Sequence, residues 1–157
     1  MASKTQTELQ VGDPAPDFEA LDDQGTPQSL SAHKGKSVVL YFYPKDDTPG
    51  CTTEACDFRD QYSKLRKKGA VLLGVSPDDA RSHAKFKQKH ELPFPLIVDA
   101  DKKLCNEFGV WKEKSMYGRK YMGVERSTFV IGPDGKIEKV YAKVKARGHA
   151  ADVLAEL

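Results

Sequence analysis

Cysteine is scarce in this sequence, with three residues in 157, and tryptophan occurs once. Three cysteines are an odd number and too few for a disulfide scaffold, and no CxxC pair is present. A disulfide-stapled secreted module and a zinc ribbon are both excluded on that count. The four histidines are scattered and form no HxxxH pair, so no metal is expected. No apolar run approaches the roughly 18 residues that a membrane span needs. The polar start, Met1 to Gln10, has no charged-then-apolar leader pattern, and a soluble, cytoplasmic protein is expected. Charge of one sign is missing too. The 25 basic and 23 acidic residues leave a net charge of +2, which calls for neither nucleic acid nor a charged membrane. Repeats, low-complexity segments and linkers are also lacking. One domain over 1–157 is expected, with about 1–9 as a flexible lead-in. In a reducing compartment the few cysteines are expected to be chemical rather than structural.

What is present is a strand–helix alternation. Ser37 to Tyr43 is β-branched and aromatic without polar alternation, which predicts a strand buried on both faces. Ala70 to Ser76 and Leu96 to Val98 predict two more buried strands, and Ala80 to His90 a helix with Ala84, Phe86 and Leu92 as contacts. Asp99 to Asp101 could cap a helix running to Phe108. Asp17 to Leu21 and Pro27 to Leu30 predict a short hairpin around Gly25. Val110 to Glu125, dotted with glycine and lysine, is expected to be a long loop whose Trp111, Met116, Tyr117, Tyr121 and Met122 line a pocket, meet a partner or cover the core. Arg126 to Ile131 predicts a strand, and Lys136 to Tyr141 alternates like its half-exposed antiparallel partner. Gly148 to Leu157 predicts a final amphipathic helix. Together these give an α/β fold with a mixed central sheet flanked by helices and an N-terminal β-hairpin extension.

The stretch with chemistry in it runs from Pro44 to Cys56. Pro44 ends the central strand, because proline cannot donate to a sheet ladder. Pro49 and Gly50 make a turn, and a helix follows with Phe58, Tyr62 and Leu65 on one face. Cys51 therefore sits where a central strand hands over to a helix. The first-turn amides of that helix have no intrahelical acceptors and favour a sulfur anion, which is the nucleophilic form. The Thr48 hydroxyl, three residues upstream, can donate to the sulfur or to a polar substrate atom beside it.

Pro44-x-x-x-Thr48-x-x-Cys51 resembles the peroxiredoxin active-site motif. The longer string from Tyr43 to Cys56 is similar to the bacterioferritin comigratory protein, or Q-type, branch. The likeness extends from Gly12-Asp13-Pro14 to Gly148-His149-Ala150, through Gly74 to Asp78, Pro93 to Leu96 and Arg126 to Ile131. The resemblance implies a thioredoxin-like fold and a thiol-dependent peroxidase that reduces hydrogen peroxide and organic hydroperoxides, serving antioxidant defence without a cofactor. It implies Cys51 as the peroxidatic nucleophile and Thr48 as the residue that holds and polarises the peroxide. Arg126 would steady the thiolate and the developing charge, and Pro44 would shield the sulfur. Glu54 either pairs with the arginine or simply favours the helix N-terminus. Cys56 is implied as the resolving cysteine of an intramolecular disulfide recycled by thioredoxin or a similar dithiol reductant. A monomer is expected. The alternative is a thiol redox-sensor module without catalysis.

Helix geometry constrains the resolving step. Five residues along an α-helix put the two Cα atoms about 8.6 Å apart, whereas a disulfide needs them within ~7 Å. The first turns of this helix are therefore expected to unwind after Cys51 is oxidised. Thr52 and Thr53, poor helix formers, permit it. Cys105 has no motif around it and is read as a packed free thiol.

Overall fold

The computed structural model describes residues 9–157, beginning with a short antiparallel hairpin of Glu19–Leu21 (β1) and Pro27–Ser29 (β2). A single 3-10 turn at Ser31–His33 leads into Ser37–Phe42 (β3). Then follow Pro49–Lys67 (α1), Ala70–Ser76 (β4), Ala80–His90 (α2), Leu96–Val98 (β5) and Lys103–Glu107 (α3). Trp111–Met116 (β6), Arg119–Val124 (β7), Ser127–Ile131 (β8), Ile137–Tyr141 (β9) and His149–Ala155 (α4) complete the chain. The expected lead-in falls almost wholly on residues 1–8, outside the described residues. Leu9, at its end, packs against the core.

The central sheet has the order β5-β4-β3-β8-β9, with β5, β4 and β3 parallel and β8 and β9 antiparallel. β3 lies in the middle, which explains its unbroken apolar run. Val38, Leu40 and Phe42 point to one face, toward Phe18, Leu104 and Phe108. Val39, Tyr41 and Tyr43 point to the other, toward Ala55, Phe58, Leu65 and Val153 of α1 and α4. Each fully buried large apolar side chain here contributes about 1.5–3 kcal/mol. Gly74 is required by packing. A Cβ there would come within 3.0 Å of the Tyr41 ring and 2.9 Å of Leu96.

Three expectations need correction. Residues 110–125 are not a loop: β6 and β7 pair as an antiparallel hairpin from Trp111↔Val124 to Met116↔Arg119. Its turn residues Tyr117 and Gly118 both have positive φ, 53° and 78°. That is the backbone of a two-residue hairpin turn, here carried by a tyrosine where Asn or Gly is usual. Met116, Tyr117, Tyr121 and Met122 are exposed, so covering the core falls to Trp111 and Val124. Ala84 is exposed, and His83 takes its place on the buried face of α2 beside Phe86. No described helix is long and apolar enough to cross a membrane.

Candidate active site

α1 begins at Pro49, with Thr48 at the N-cap in an extended conformation (φ −91°, ψ 156°). Pro49 occupies the first helical position, where a missing N–H costs nothing. Cys51 is the third helical residue, so the Gly50 and Cys51 amides fall among the unpaired first-turn donors. The Cys51 sulfur is buried, with 1% of the residue exposed. Glu54 lies one turn further along the same helix and is equally buried.

Arg126 reaches this helix start from across the sheet. It directly precedes β8, and its backbone is held there by a hydrogen bond from Val144 N to its carbonyl (2.9 Å). Its guanidinium forks. Nη2 donates to Cys51 Sγ at 3.3 Å, and Nη1 donates to Glu54 Oε1 at 2.5 Å. Gly50 makes room for this: a Cβ there would lie 3.1 Å from Arg126 Nη2. Burial works against the Arg126 charge, but the Glu54 and Cys51 partners outweigh it and raise its pKa. Burial likewise pushes the Glu54 carboxyl up to about 7, with the Arg126 charge and hydrogen bond pulling it back. Glu54 Oε2 is buried without a hydrogen-bond partner. The arrangement presents a fixed cation to a sulfur at a helix start, a setting suited to an anionic sulfur nucleophile.

The other expected residues are placed as follows. Thr48 Oγ1 donates to Lys45 O at 2.8 Å, so the hydroxyl directs its hydrogen into the loop and not toward the sulfur. Its lone pairs are left to accept. Pro44 is half-buried just past the end of β3. Cys56 is half-buried on an unbroken α1, and Cys51, Cys56 and Cys105 are all free thiols. Cys105 lies in the core, its amide bonded to Asp99 Oδ2 (2.9 Å). Burial and the Asp99 carboxylate push its thiol far above the ordinary range. Asp99 also accepts from Leu104 N (2.9 Å), so it satisfies first-turn amides of α3, although the N-cap position is Lys102, which makes no side-chain cap bond. His149 is buried, and Thr128 Oγ1 lies 2.7 Å from its Nε2. Burial pulls His149 down to about 4, leaving it a neutral packing residue.

Reading the sequence did not single out Asp46, Asp47, Ser82 or His83. The paired aspartates inside the Pro44–Cys56 string were the available signal. Asp46, Asp78 and His83 bring potential metal-ligand atoms within 4.8 Å of one another. The Asp46 and His83 ligand atoms and Asp78 Oδ2 are already engaged within the protein: Tyr43 and Ser82 hydroxyls on Asp46, Asp46 N and Ser76 on Asp78, and Asp46 and Ile97 O on His83. That donor set is a hydrogen-bond network rather than a metal cage.

Residues 11–140 match the AhpC/TSA family. Over 149 residues the chain is 52% identical to "Peroxiredoxin Bcp" of Bacillus subtilis, covering 95% of each. It is 50% identical over 133 residues to "Peroxiredoxin Bcp" of Xanthomonas campestris, covering 85% of this chain and 83% of that one. Among solved structures it is similar to a cysteine-to-serine mutant of Peroxiredoxin Q from Xanthomonas campestris, with a TM-score of 0.87 and 45% identity over 97% of both chains. A cysteine-to-serine mutant of PrxQ from Xylella fastidiosa superposes with a TM-score of 0.91 at 39% identity over 96% of both chains. A further Xanthomonas campestris structure, of a bacterioferritin comigratory protein, is described in terms of alkyl peroxide reduction (TM-score 0.87, 45% identity, 94% of both chains).

Proposed function

This chain belongs to the AhpC/TSA family, among its Bcp or Q peroxiredoxins, and from that premise we propose that Cys51 is the sulfur that reacts with peroxide. The protein is a thiol-dependent peroxidase with a thioredoxin-like fold. The observation that carries the assignment of Cys51 is the Arg126 fork, which joins Cys51 Sγ to Glu54 at the start of α1. The thiolate attacks one peroxide oxygen and breaks the O–O bond. Cys51 becomes a sulfenic acid, and the other oxygen leaves with a proton as water or an alcohol. Arg126 steadies the charge that develops on the leaving oxygen. Thr48 accepts a hydrogen bond from the peroxide O–H, the role its committed hydrogen leaves open. Pro44 limits water at the sulfur.

Cys56 then resolves the sulfenic acid: its sulfur attacks Cys51 Sγ, the S–O bond breaks and water leaves. Both cysteines lie on continuous helix, and α-helical spacing holds Cα atoms five residues apart at about 8.6 Å, so the first turns of α1 must open. Opening past Asp57 also breaks the bond from Gly148 N to Asp57 Oδ2 (3.0 Å), which ties α1 to the start of α4. Thioredoxin or a similar dithiol protein reduces the disulfide. We take the chain as a single-domain, cytoplasmic monomer acting on hydrogen peroxide and organic hydroperoxides in antioxidant defence.

The test is to add one equivalent of hydrogen peroxide to the reduced protein and map the thiols by mass spectrometry. A Cys51–Cys56 disulfide with free Cys105 is expected, and any bond to Cys105 contradicts the assignment. Cys105→Ser should keep thioredoxin-coupled turnover within about twofold of the parent. It should lower stability by less than about 1.5 kcal/mol, because the buried hydroxyl that replaces the thiol has the Asp99 carboxylate beside it to accept its hydrogen. A large loss of turnover in a folded Cys105→Ser protein would make Cys105 a participant.

Gly50→Ala separates helix stability from chemistry. Gly50 is the second residue of α1, where alanine favours the helix over glycine by less than the about 0.8–1 kcal/mol of a helix interior. The same methyl displaces the Arg126 head by a few tenths of an ångström from Cys51. Urea unfolding should show equal or greater stability, while stopped-flow oxidation by peroxide slows roughly 3- to 10-fold. An unslowed variant would mean that the guanidinium position does not matter.

A further inference from the structure

Two consecutive aspartates stand in the turn between β3 and Cys51, and both are tied to α2. Asp47, at φ 61°, lies outside, against Lys89 Nζ (2.9 Å) and His90 Nε2 (3.3 Å). Asp46 lies inside. Tyr43 Oη donates to its Oδ1 at 2.6 Å, and Ser82 Oγ donates to its Oδ2 at 2.7 Å. His83 Nδ1 is 2.7 Å from the same Oδ2, and the side chains of His83 and Asp46 are 0% and 2% exposed.

The protonation state follows from the partners. His83 Nε2 lies 2.8 Å from Ile97 O, a carbonyl, which can only accept. Nε2 therefore carries a hydrogen. Asp46 Oδ2 already accepts from Ser82, and its Oδ1 accepts from Tyr43, as a carboxylate does. The single hydrogen between Oδ2 and Nδ1 is assigned to the ring, because an imidazole nitrogen is a stronger base than a carboxylate oxygen. Both nitrogens donate, and the ring is an imidazolium.

The peptide group between Lys45 and Asp46 links this pair to the reacting turn. Its N–H donates to Asp78 Oδ2 at 2.7 Å, and its C=O accepts from Thr48 Oγ1 at 2.8 Å. The peptide is planar, so fixing Asp46 fixes the carbonyl that orients the Thr48 hydroxyl. Ser76 Oγ in turn donates to Asp78 Oδ2 at 2.7 Å.

We propose that His83 and Asp46 are positioning residues for the peroxide reaction, forming a buried imidazolium–carboxylate latch that clamps the turn before Cys51 onto α2 and β5 and opens when the ring loses its proton. The proposal rests on Cys51 being the reacting sulfur. A neutral ring has one N–H for two acceptors, so either Ile97 O loses the ring as donor or Asp46 loses one of its three donors, and the turn is held less firmly to α2 or α2 to β5. The groups facing the ring are Asp46 from the turn, Asp78 from the entry to α2, Ser82 through Asp46 on its own helix, the Ile97 carbonyl from β5 and the Tyr43 ring from β3. Burial alone depresses the His83 pKa. The hydrogen bond and charge of Asp46, the Ile97 carbonyl and Asp78 outweigh it and raise the value above 6.5. The stabilisation is therefore fully present below 6.5 and is lost as pH rises through the higher folded value.

Two measurements test this. Nitrogen-15 histidine NMR of the reduced wild-type protein should show both His83 ring nitrogens protonated at neutral pH, and a neutral tautomer there overturns the latch. Stopped-flow oxidation of Cys51 by hydrogen peroxide should show an alkaline decline that tracks the NMR titration of His83. His83→Gln should react roughly tenfold more slowly at neutral pH and lack that decline, since the titrating ring is gone, while any pH dependence set by Glu54, which still titrates in this variant, remains. Parent-like rates with the decline retained would overturn the proposal. If His83→Gln does not fold, the wild-type comparison decides: a decline displaced from the ring titration refutes it. Absence of a Cys51 sulfenic acid in wild type would instead refute the reading of Cys51, and the NMR result would still establish whether the ring is charged.

Discussion

Cys51→Ser should lower peroxide consumption by at least about 10⁴-fold, to background, with the fold intact. Serine is nearly isosteric, and Arg126 keeps its Glu54 partner, so the loss falls on the chemistry. A serine hydroxyl at neutral pH has almost no anionic fraction and is a poor nucleophile toward a peroxide oxygen. Cys56→Ser should behave differently. The first oxidation should proceed at the parent rate and consume one equivalent of peroxide, and the sulfenic acid should then persist. With no disulfide for thioredoxin to reduce, coupled NADPH oxidation would not begin. A sulfenic-acid-specific tag followed by mass spectrometry reads both variants: no tag at position 51 in the first, and stoichiometric tagging of Cys51 in the second. Sustained turnover by Cys56→Ser with thioredoxin would remove Cys56 from the resolving role. Equal turnover by Cys51→Ser would remove the proposed nucleophile and the peroxide mechanism built on it. A redox sensor lacking catalysis has no need of the guanidinium that joins Cys51 to Glu54.

Local patterns carried much of the fold. β4, α2 and β5 appear at the residues where buried runs and helix starts placed them, because a strand covered on both faces cannot hide its apolar run. The β6–β7 hairpin was not legible. Its exposed strand residues need no apolar alternation, and its turn uses Tyr117 at positive φ where glycine or asparagine would have signalled it. The site was legible where it is contiguous, from Pro44 to Cys56. The Arg126–Glu54 pair was an open alternative because the partners lie 72 residues apart, and sequence spacing says nothing about a contact made across a sheet. Asp46 and His83, 37 residues apart, were missed for the same reason. Each looks like a polar residue at an element boundary until β3 and α2 are packed together.

Arg126→Gln should lower the second-order rate with peroxide by about 10²–10³, the scale seen when one preorganised donor to a developing oxyanion is lost. Lysine is a poor substitute, because a point charge cannot fork to Cys51 Sγ and Glu54 Oε1 together. The same change has a stability signature that tells electrostatics from misfolding. Glu54 has a folded value near 7 against an ordinary 4.5, so between these the folded chain keeps a proton that the unfolded chain has lost. Stability therefore falls as pH rises through that window. Removing Arg126 removes both influences that hold Glu54 down and leaves the burial that pushes it up, so the window extends to higher pH. The deficit of Arg126→Gln against wild type should reach about 3–5 kcal/mol near pH 9, where a buried carboxylate has lost its partner. It should shrink toward about pH 5, where Glu54 is neutral in both proteins. Urea midpoints at the two pH values give the comparison. A deficit independent of pH would mean that Arg126 supports the fold by packing alone, and that Glu54 does not serve as its counter-charge.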